Sequence, residues 1–260
     1  MPDLSSPNLT PDLNAVDASV DTTSADAADF MNQFLARLNS ESLKNQVQIL
    51  EELSTSESGL AVLMRYLQER QSESAGLPAG VIEGKIYQTL LQASPQTQDF
   101  LQTQFPQGIV PLISDRNIDY APLQALLAQQ AFEAADRLTI EKLCELAGEM
   151  AIQRKWLYFT EVTSFPTADL QTIDALWRVH SGGQFGFSVQ RELWLGAAKN
   201  WEKLWHQIGW KTGNSWTRYP QEFTWTLEAP KGHLPLSNQL RGVRVISALL
   251  THPAWDERRA

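Results

Sequence analysis

From Phe30 onward, apolar residues recur at intervals of three and four, the spacing of one helix face. Phe30, Phe34, Leu35 and Leu38 form a first set, Val47, Leu50 and Leu53 a second, and Leu60, Leu63, Met64 and Leu67 a third. Polar breaks at Asn39–Ser40, Ser54–Ser58 and Gln71–Gly76 separate them, and Ile82, Ile86, Leu90, Phe100 and Leu101 add one or two further helices. Short loops between such helices predict a small helical bundle over residues 27–106, an accessory or docking domain. Residues 1–26 lack the pattern. Their Ser, Thr, Pro, Asp and Ala cannot bury enough surface to offset ordering entropy, so a disordered acidic arm is expected there.

Phe105-Pro-Gln-Gly-Ile-Val-Pro111 is dense in turn residues and marks a boundary, which leaves a second domain over 107–260. Pro122 stands where an N1 proline belongs, ahead of Leu123, Leu126 and Leu127. The next helix runs from about Phe132 to Ala147, with Leu138, Leu143, Cys144 and Leu146 inward and Gly148 as its stop. Trp156-Leu-Tyr-Phe159 has no decisive period. Ser164–Thr167 opens a helix through Leu170, Ile173, Leu176 and Trp177, with Asp169 near its positive end, and Ser181-Gly-Gly183 closes it. Two more helices carry Val189, Leu193 and Trp194, then Trp201, Leu204, Trp205 and Ile208. A last helix takes Ser237 as N-cap and Leu240, Val243, Ile246 and Leu250 as its apolar stripe. Strand-like alternation is scarce, so the fold class is all-α.

Composition narrows the function. The 260 residues carry 21 Lys+Arg against 30 Asp+Glu, a net charge of -9. Residues 1–106 hold 14 acids and five bases, while residues 107–260 hold 16 of each. Without a basic stripe to displace counterions, no nucleic-acid partner is expected. The one cysteine, Cys144, excludes an internal disulfide and reads as a small core residue. Six Asp and no base in residues 1–29 are the opposite of an export or transit signal, so a cytoplasmic protein is expected, and no apolar run is long enough to span a bilayer.

Catalytic chemistry finds no support. No phosphate loop, nucleophile elbow or paired-histidine metal motif is present. His180 sits at a helix C-terminus, where a cation suits the dipole. His252 precedes Pro253, and His206 and His233 read as satisfied, partly buried imidazoles. Glu161, Asp169 and Asp174 read as solvated helix positions. No enzyme is expected.

The nine tryptophans all fall between Trp156 and Trp255, and the densest aromatic stretch is Ile208–Pro235, containing Trp210, Trp216, Tyr219, Phe223 and Trp225 among Gly, Pro, Asn and Thr. Either these rings cap a local core, or they present flat faces to a flat ligand. Arg241 and Arg244 follow at helical spacing with Gly242 between them, at the only locally basic end of the chain. They form either a solvated face or a fork for two carboxylates.

Several segments of residues 118–255 carry a resemblance. They are Ile118-Asp-Tyr-Ala-Pro-Leu123, Lys142-Leu-Cys-Glu-Leu-Ala-Gly148, Trp156-Leu-Tyr-Phe-Thr-Glu161, Phe185-Gly-Phe-Ser-Val-Gln190, Gly232-His-Leu-Pro235 and Asn238-Gln-Leu-Arg-Gly-Val-Arg244. In these the chain resembles the genomes-uncoupled-four family, tetrapyrrole-binding regulators of magnesium chelatase, in its cyanobacterial form. The resemblance implies binding of protoporphyrin IX and Mg-protoporphyrin IX and stimulation of Mg²⁺ insertion for chlorophyll biosynthesis, through the large porphyrin-binding subunit of the chelatase. It implies a monomeric porphyrin carrier with no required cofactor, and a concave apolar surface under a loop at about Gly209–Trp225. The ligand-binding residues then expected are Trp216, Tyr219, Phe223, Trp225, Leu234, Leu236, Asn238, Leu240, Arg241 and Arg244. Tyr219 stands where the family commonly has Trp. The two arginines answer the two propionates, and the Asn238 amide, or a water it holds, suits a porphyrin-bound Mg²⁺. An amphipathic last helix permits peripheral contact with photosynthetic membranes, though no anchor is visible.

Overall fold

Ser42 and Ser94 show how literally the chain obeys its capping signals. The Ser42 hydroxyl accepts the Asn45 amide to start α1 (Leu43–Leu53), and Ser94 accepts the Thr97 amide to start α4 (Pro95–Gln104) behind an N1 proline. The structure, a computed structural model, describes Phe34, Ala36 and residues 41–73, 79–237 and 242–256. The expected acidic arm, and Phe30, Leu35 and Leu38 of the first apolar set, lie outside the described residues. Packing divides the chain into residues 1–66 and 67–260.

In the first unit, α1 is followed by α2 (Glu57–Glu73), which runs on past the division. Ile49, Leu50, Val62 and Leu63 are buried, and the Phe34 ring meets Tyr66 edge-on at 5.6 Å. Phe34, Leu50 and Leu63 are among the apolar positions read at helical spacing, whereas Val47, Leu53, Leu60 and Met64 are only partly buried and Ile49, Val62 and Tyr66 take core places beside them.

In the second unit α3 (Val81–Ala93) and α4 are followed by α5 (Ala121–Ala128), α6 (Phe132–Ala147), α7 (Glu149–Arg154), α8 (Phe159–Val162) and α9 (Thr167–His180). Next come α10 (Phe187–Gly196), α11 (Trp201–Gln207), a two-residue hairpin of β1 (Lys211–Thr212) with β2 (Ser215–Trp216), and α12 (Arg244–Leu250), closed by a 3₁₀ turn at Pro253–Trp255. The all-α reading holds. The Pro/Gly-rich segment after Phe105 is tied down within this unit, because Gln124 accepts the Val110 amide at 2.9 Å.

Helix α9 is the hub. Leu170, Ile173, Leu176 and Trp177 are fully buried, and the Trp177 indole donates to the Thr139 hydroxyl of α6 at 3.0 Å while Phe132 stacks on its ring. Helix α3 crosses α9 at Gly84, where an added Cβ would collide with the Val179 backbone, and Gln88 donates to the His180 carbonyl at 2.8 Å. Gly84→Val is therefore expected to cost at least the 1–3 kcal/mol typical of overpacking, roughly, read as a lowered thermal midpoint with unchanged helix content below it.

Several expectations are corrected here. Asp169 and Asp174 are fully buried rather than solvated. Asp169 accepts from the Tyr120 hydroxyl, the Ser114 hydroxyl and the Asp115 amide, and Asp174 accepts the Ser188 amide and hydroxyl at the start of α10. Buried loop and helix-end donors need such acceptors. Glu161 is half-buried in an ion pair with Arg154. His180 is no dipole-stabilised cation either. It is wholly buried with no ring hydrogen bond among the described residues, and burial lowers its pKa to about 4. His206 is exposed rather than partly buried.

Candidate functional site

Helix α6 carries two working faces. Leu143 and Leu146 turn into the core. Asp136, Ile140 and Cys144, each four residues from the next, line a cavity of about 620 Å³ together with Arg137, Glu141 and Glu145 on the adjoining stripe. Ile152 of α7 and Lys155, which ends α7 in a left-handed conformation at φ 59°, form a second wall. Tyr219 and Leu236 complete it. The volume lies within the roughly 300–1,000 Å³ usual for small-molecule sites. Its walls are apolar at Ile140, Cys144, Ile152 and Leu236, aromatic at Tyr219, and charged at the remaining positions.

The carboxyl of Asp136 is the buried polar feature of this cavity. It is 2% exposed, and one oxygen accepts the Leu236 amide at 2.7 Å. No other hydrogen bond to it is made among the described residues. Burial pushes its pKa up to about 7, against the opposing pull of the Leu236 amide and of Arg137. Burial likewise raises the Cys144 thiol to about 11, so it is an inert wall rather than a nucleophile. Of the two cations, Arg137 is 3.6 Å from Glu133, whereas Lys155 makes no ion pair among the described residues. No group of three or more His, Cys, Asp or Glu among the described residues is placed to hold a metal ion.

The aromatic stretch divides its rings between two tasks. Trp194, Trp201, Trp205 and Trp210 stack in sequence with centroids 4.7, 5.3 and 5.4 Å apart, and Trp216 tilts against Trp205 at 5.7 Å. This ladder fixes the hairpin to α11. Beyond it, the Trp210 indole donates to the His233 carbonyl, while the His233 ring meets the Ile208 carbonyl through Nδ1 and accepts the Thr224 amide through Nε2. That pattern needs neutral His233, consistent with the lowering of its pKa by burial. Phe223 packs on the His233 ring, and Trp225 packs on Phe223 while donating to the Pro220 carbonyl at 3.0 Å. Tyr219 stands edge-on to Trp225 and presents its ring, 45% exposed, to the cavity.

Of the ten residues expected to bind ligand, Tyr219 and Leu236 line the cavity and Phe223 and Trp225 support Tyr219 from behind. Trp216 belongs to the tryptophan ladder and Leu234 to the core. Asn238, Leu240 and Arg241 lie outside the described residues. Arg244 is exposed at the first turn of α12, its guanidinium 5.6 Å from the Phe159 ring centre. The single helix expected from Ser237 is corrected, because α12 begins only at Arg244. Gly242 adopts φ 92°, a region that glycine enters freely and that breaks a right-handed helix, so α12 does not run back through Gly242. Ser237 is instead buried with its hydroxyl unpaired among the described residues. The α6 and α7 residues of the cavity were missed. Their signal was Ile140, an apolar position left over once Leu143, Cys144 and Leu146 are assigned inward, while Cys144 both belongs to the core and lines the cavity.

Comparison with known proteins agrees with this architecture. A family model described as GUN4-like matches residues 113–253, and one described as an ARM-like repeat domain, GUN4-N terminal, matches residues 22–106. A Ycf53-like protein of Synechocystis sp. is 50% identical over 233 residues, covering 88% of this chain and 98% of its own. The chloroplastic tetrapyrrole-binding protein of Arabidopsis thaliana is 39% identical over 142 residues, covering 51% of this chain and 54% of its own. Among solved structures, GUN4 from Chlamydomonas reinhardtii is 41% identical and superposes with a TM-score of 0.53, covering 56% of this chain and 94% of that one. Ligand-free GUN4 from Arabidopsis thaliana is 39% identical with a TM-score of 0.50 over 53% of this chain. The chain belongs to the GUN4 family.

Proposed function

We propose that this protein binds a tetrapyrrole, protoporphyrin IX or its magnesium complex, in the cavity between α6, α7 and Tyr219. The observation that carries the reading is the cavity itself: apolar walls at Ile140, Ile152 and Leu236, an upright aromatic ring, and cations at Arg137 and Lys155. A porphyrin has a broad apolar face worth about 25 cal/mol for each Å² it buries, and two propionates that need cations. Lys155, with no ion pair among the described residues, suits one of them. The other propionate falls to Arg241 or Arg244, the cations that the resemblance assigns to it, and Asn238 keeps the role that the resemblance gives it. The name of the Arabidopsis relative supports a tetrapyrrole ligand.

The bound porphyrin is cargo, and this chain is a carrier rather than an enzyme. It presents the porphyrin to the large subunit of magnesium chelatase and raises the rate of Mg²⁺ insertion for chlorophyll biosynthesis. No helix among the described residues is long and apolar enough to cross a membrane. Exposed Met150, Tyr158 and Phe159 support peripheral contact with a photosynthetic membrane from the cytoplasmic side. Adding the full chain to a reconstituted chelatase at limiting porphyrin is expected to accelerate magnesium porphyrin formation. An unchanged rate over a tenfold molar excess, about one unit in the logarithm of concentration, would count against the activator role.

A further inference from the structure

Asp136 is an unusual residue to find in the wall of an apolar ligand cavity. One carboxyl oxygen is anchored on the Leu236 amide, and the other makes no hydrogen bond among the described residues although the side chain is almost completely buried. The charged groups around it offer little compensation. On its own helix Arg137 is drawn to Glu133, 3.6 Å away, and Glu141 and Glu145 add negative charge along the same wall, Glu145 being held by Lys142. From α7 come Arg154, which is held in an ion pair by Glu161, and its C-cap Lys155 on the opposing wall, and from the loop Tyr219 contributes a neutral phenol. Leu236 and its neighbour Pro235 contribute no charge.

A tetrapyrrole placed in this cavity covers the carboxyl with an apolar face and brings two further carboxylates. Both changes disfavour an ionised Asp136 and favour the neutral acid, which keeps its bond from the Leu236 amide and turns one O–H toward the ligand. We propose that ligand uptake at this site is proton-coupled, with Asp136 as the group that takes the proton and sets the pH at which the tetrapyrrole is held. The proposal rests on the tetrapyrrole reading given above. Since the free carboxyl already titrates near neutrality, at about 7, small pH changes would shift loading. Below that pH Asp136 is already neutral and affinity is level. Above it, one proton must be bound with each ligand, so affinity falls by about tenfold per pH unit.

The test is a titration of the full chain with deuteroporphyrin IX, a soluble free-base porphyrin, at several pH values from 6 to 8.5 or so, spanning the Asp136 value. Asp136→Asn, which retains an acceptor for the Leu236 amide, is measured beside it. Wild type is expected to lose affinity above about pH 7, with the Asn variant level across the range at the wild type's low-pH affinity. Calorimetry in two buffers of different ionisation enthalpy gives a second reading on the wild type alone, namely uptake of close to one proton per porphyrin at pH 8, an estimate from linkage. Saturable binding with equal pH dependence in both proteins, or without proton uptake, overturns the role of Asp136 and leaves the tetrapyrrole site standing. Absence of porphyrin binding at every pH overturns both. Should the variant not fold, the wild-type proton count decides.

Discussion

Ile140→Glu is expected to weaken porphyrin binding by about 100-fold, or about 2.8 kcal/mol, while leaving the helix content and thermal midpoint close to those of the wild type. Ile140 sits in the middle of the α6 wall, between Asp136 and Cys144, and is only half-buried, so Glu can be accommodated there in the free protein. Glu is also a good helix former. A bound macrocycle would cover the new carboxylate with an apolar face and set it beside Asp136, Glu141 and Glu145, which already make this wall acidic. The dissociation constant from a Soret-band titration measures the effect. Wild-type affinity in this variant would move the ligand elsewhere on the protein.

The second large effect concerns stability. Asp136→Asn is expected to stabilise the fold at pH 8 and to change it little near pH 4. The sign follows from the direction of the shift: the folded carboxyl titrates at about 7 and the unfolded one at the ordinary 3.8. Between those values the folded state holds a proton that the unfolded state has released, so stability falls as pH rises through that window and levels off above it. The full difference is of the order of 4 kcal/mol. Asn has no such proton to lose. Urea unfolding of both proteins at pH 4, 6 and 8, or about those values, checks this, and a gap between them that does not widen with pH would refute the burial of an ionisable carboxyl at this position.

Much of the fold could be read from the sequence because its signals were local. Helix α6 begins at Phe132 and stops at Gly148 as its apolar period and glycine indicate, and α5 starts at the proline read as its N1 residue, Pro122, give or take one position. Tertiary context decided the rest. Asp169 and Asp174 have the sequence character of surface residues, yet donors from the Ser114 loop and from Ser188 at the start of α10 draw them inside. His180 lies at a helix end where charge would be favoured, but α3 covers that end, so the imidazole stays neutral. Gly242 cuts short the helix that the stripe of leucine, valine and isoleucine predicts.

The candidate site was legible in part for the same reason. The aromatic loop announced itself by composition, and it does deliver Tyr219 to the cavity. Two of its tryptophans, Trp210 and Trp216, instead pack against Trp205 of α11, in the ladder that anchors the hairpin. The opposite wall came from the second face of α6, which shows itself only when the first face has been assigned to the core. Asp136 could not be singled out from sequence at all, because its character depends on an amide 100 residues away in the chain.

The most direct test of the central claim is a titration of the full-length protein with deuteroporphyrin IX at pH 6.5 or so, below the Asp136 value, following porphyrin absorbance and tryptophan emission together. The expected result is a saturable shift of the Soret band, with tryptophan quenching that saturates at the same point, near one porphyrin per chain. A porphyrin spectrum unchanged by the protein, with tryptophan emission unaltered, would contradict it.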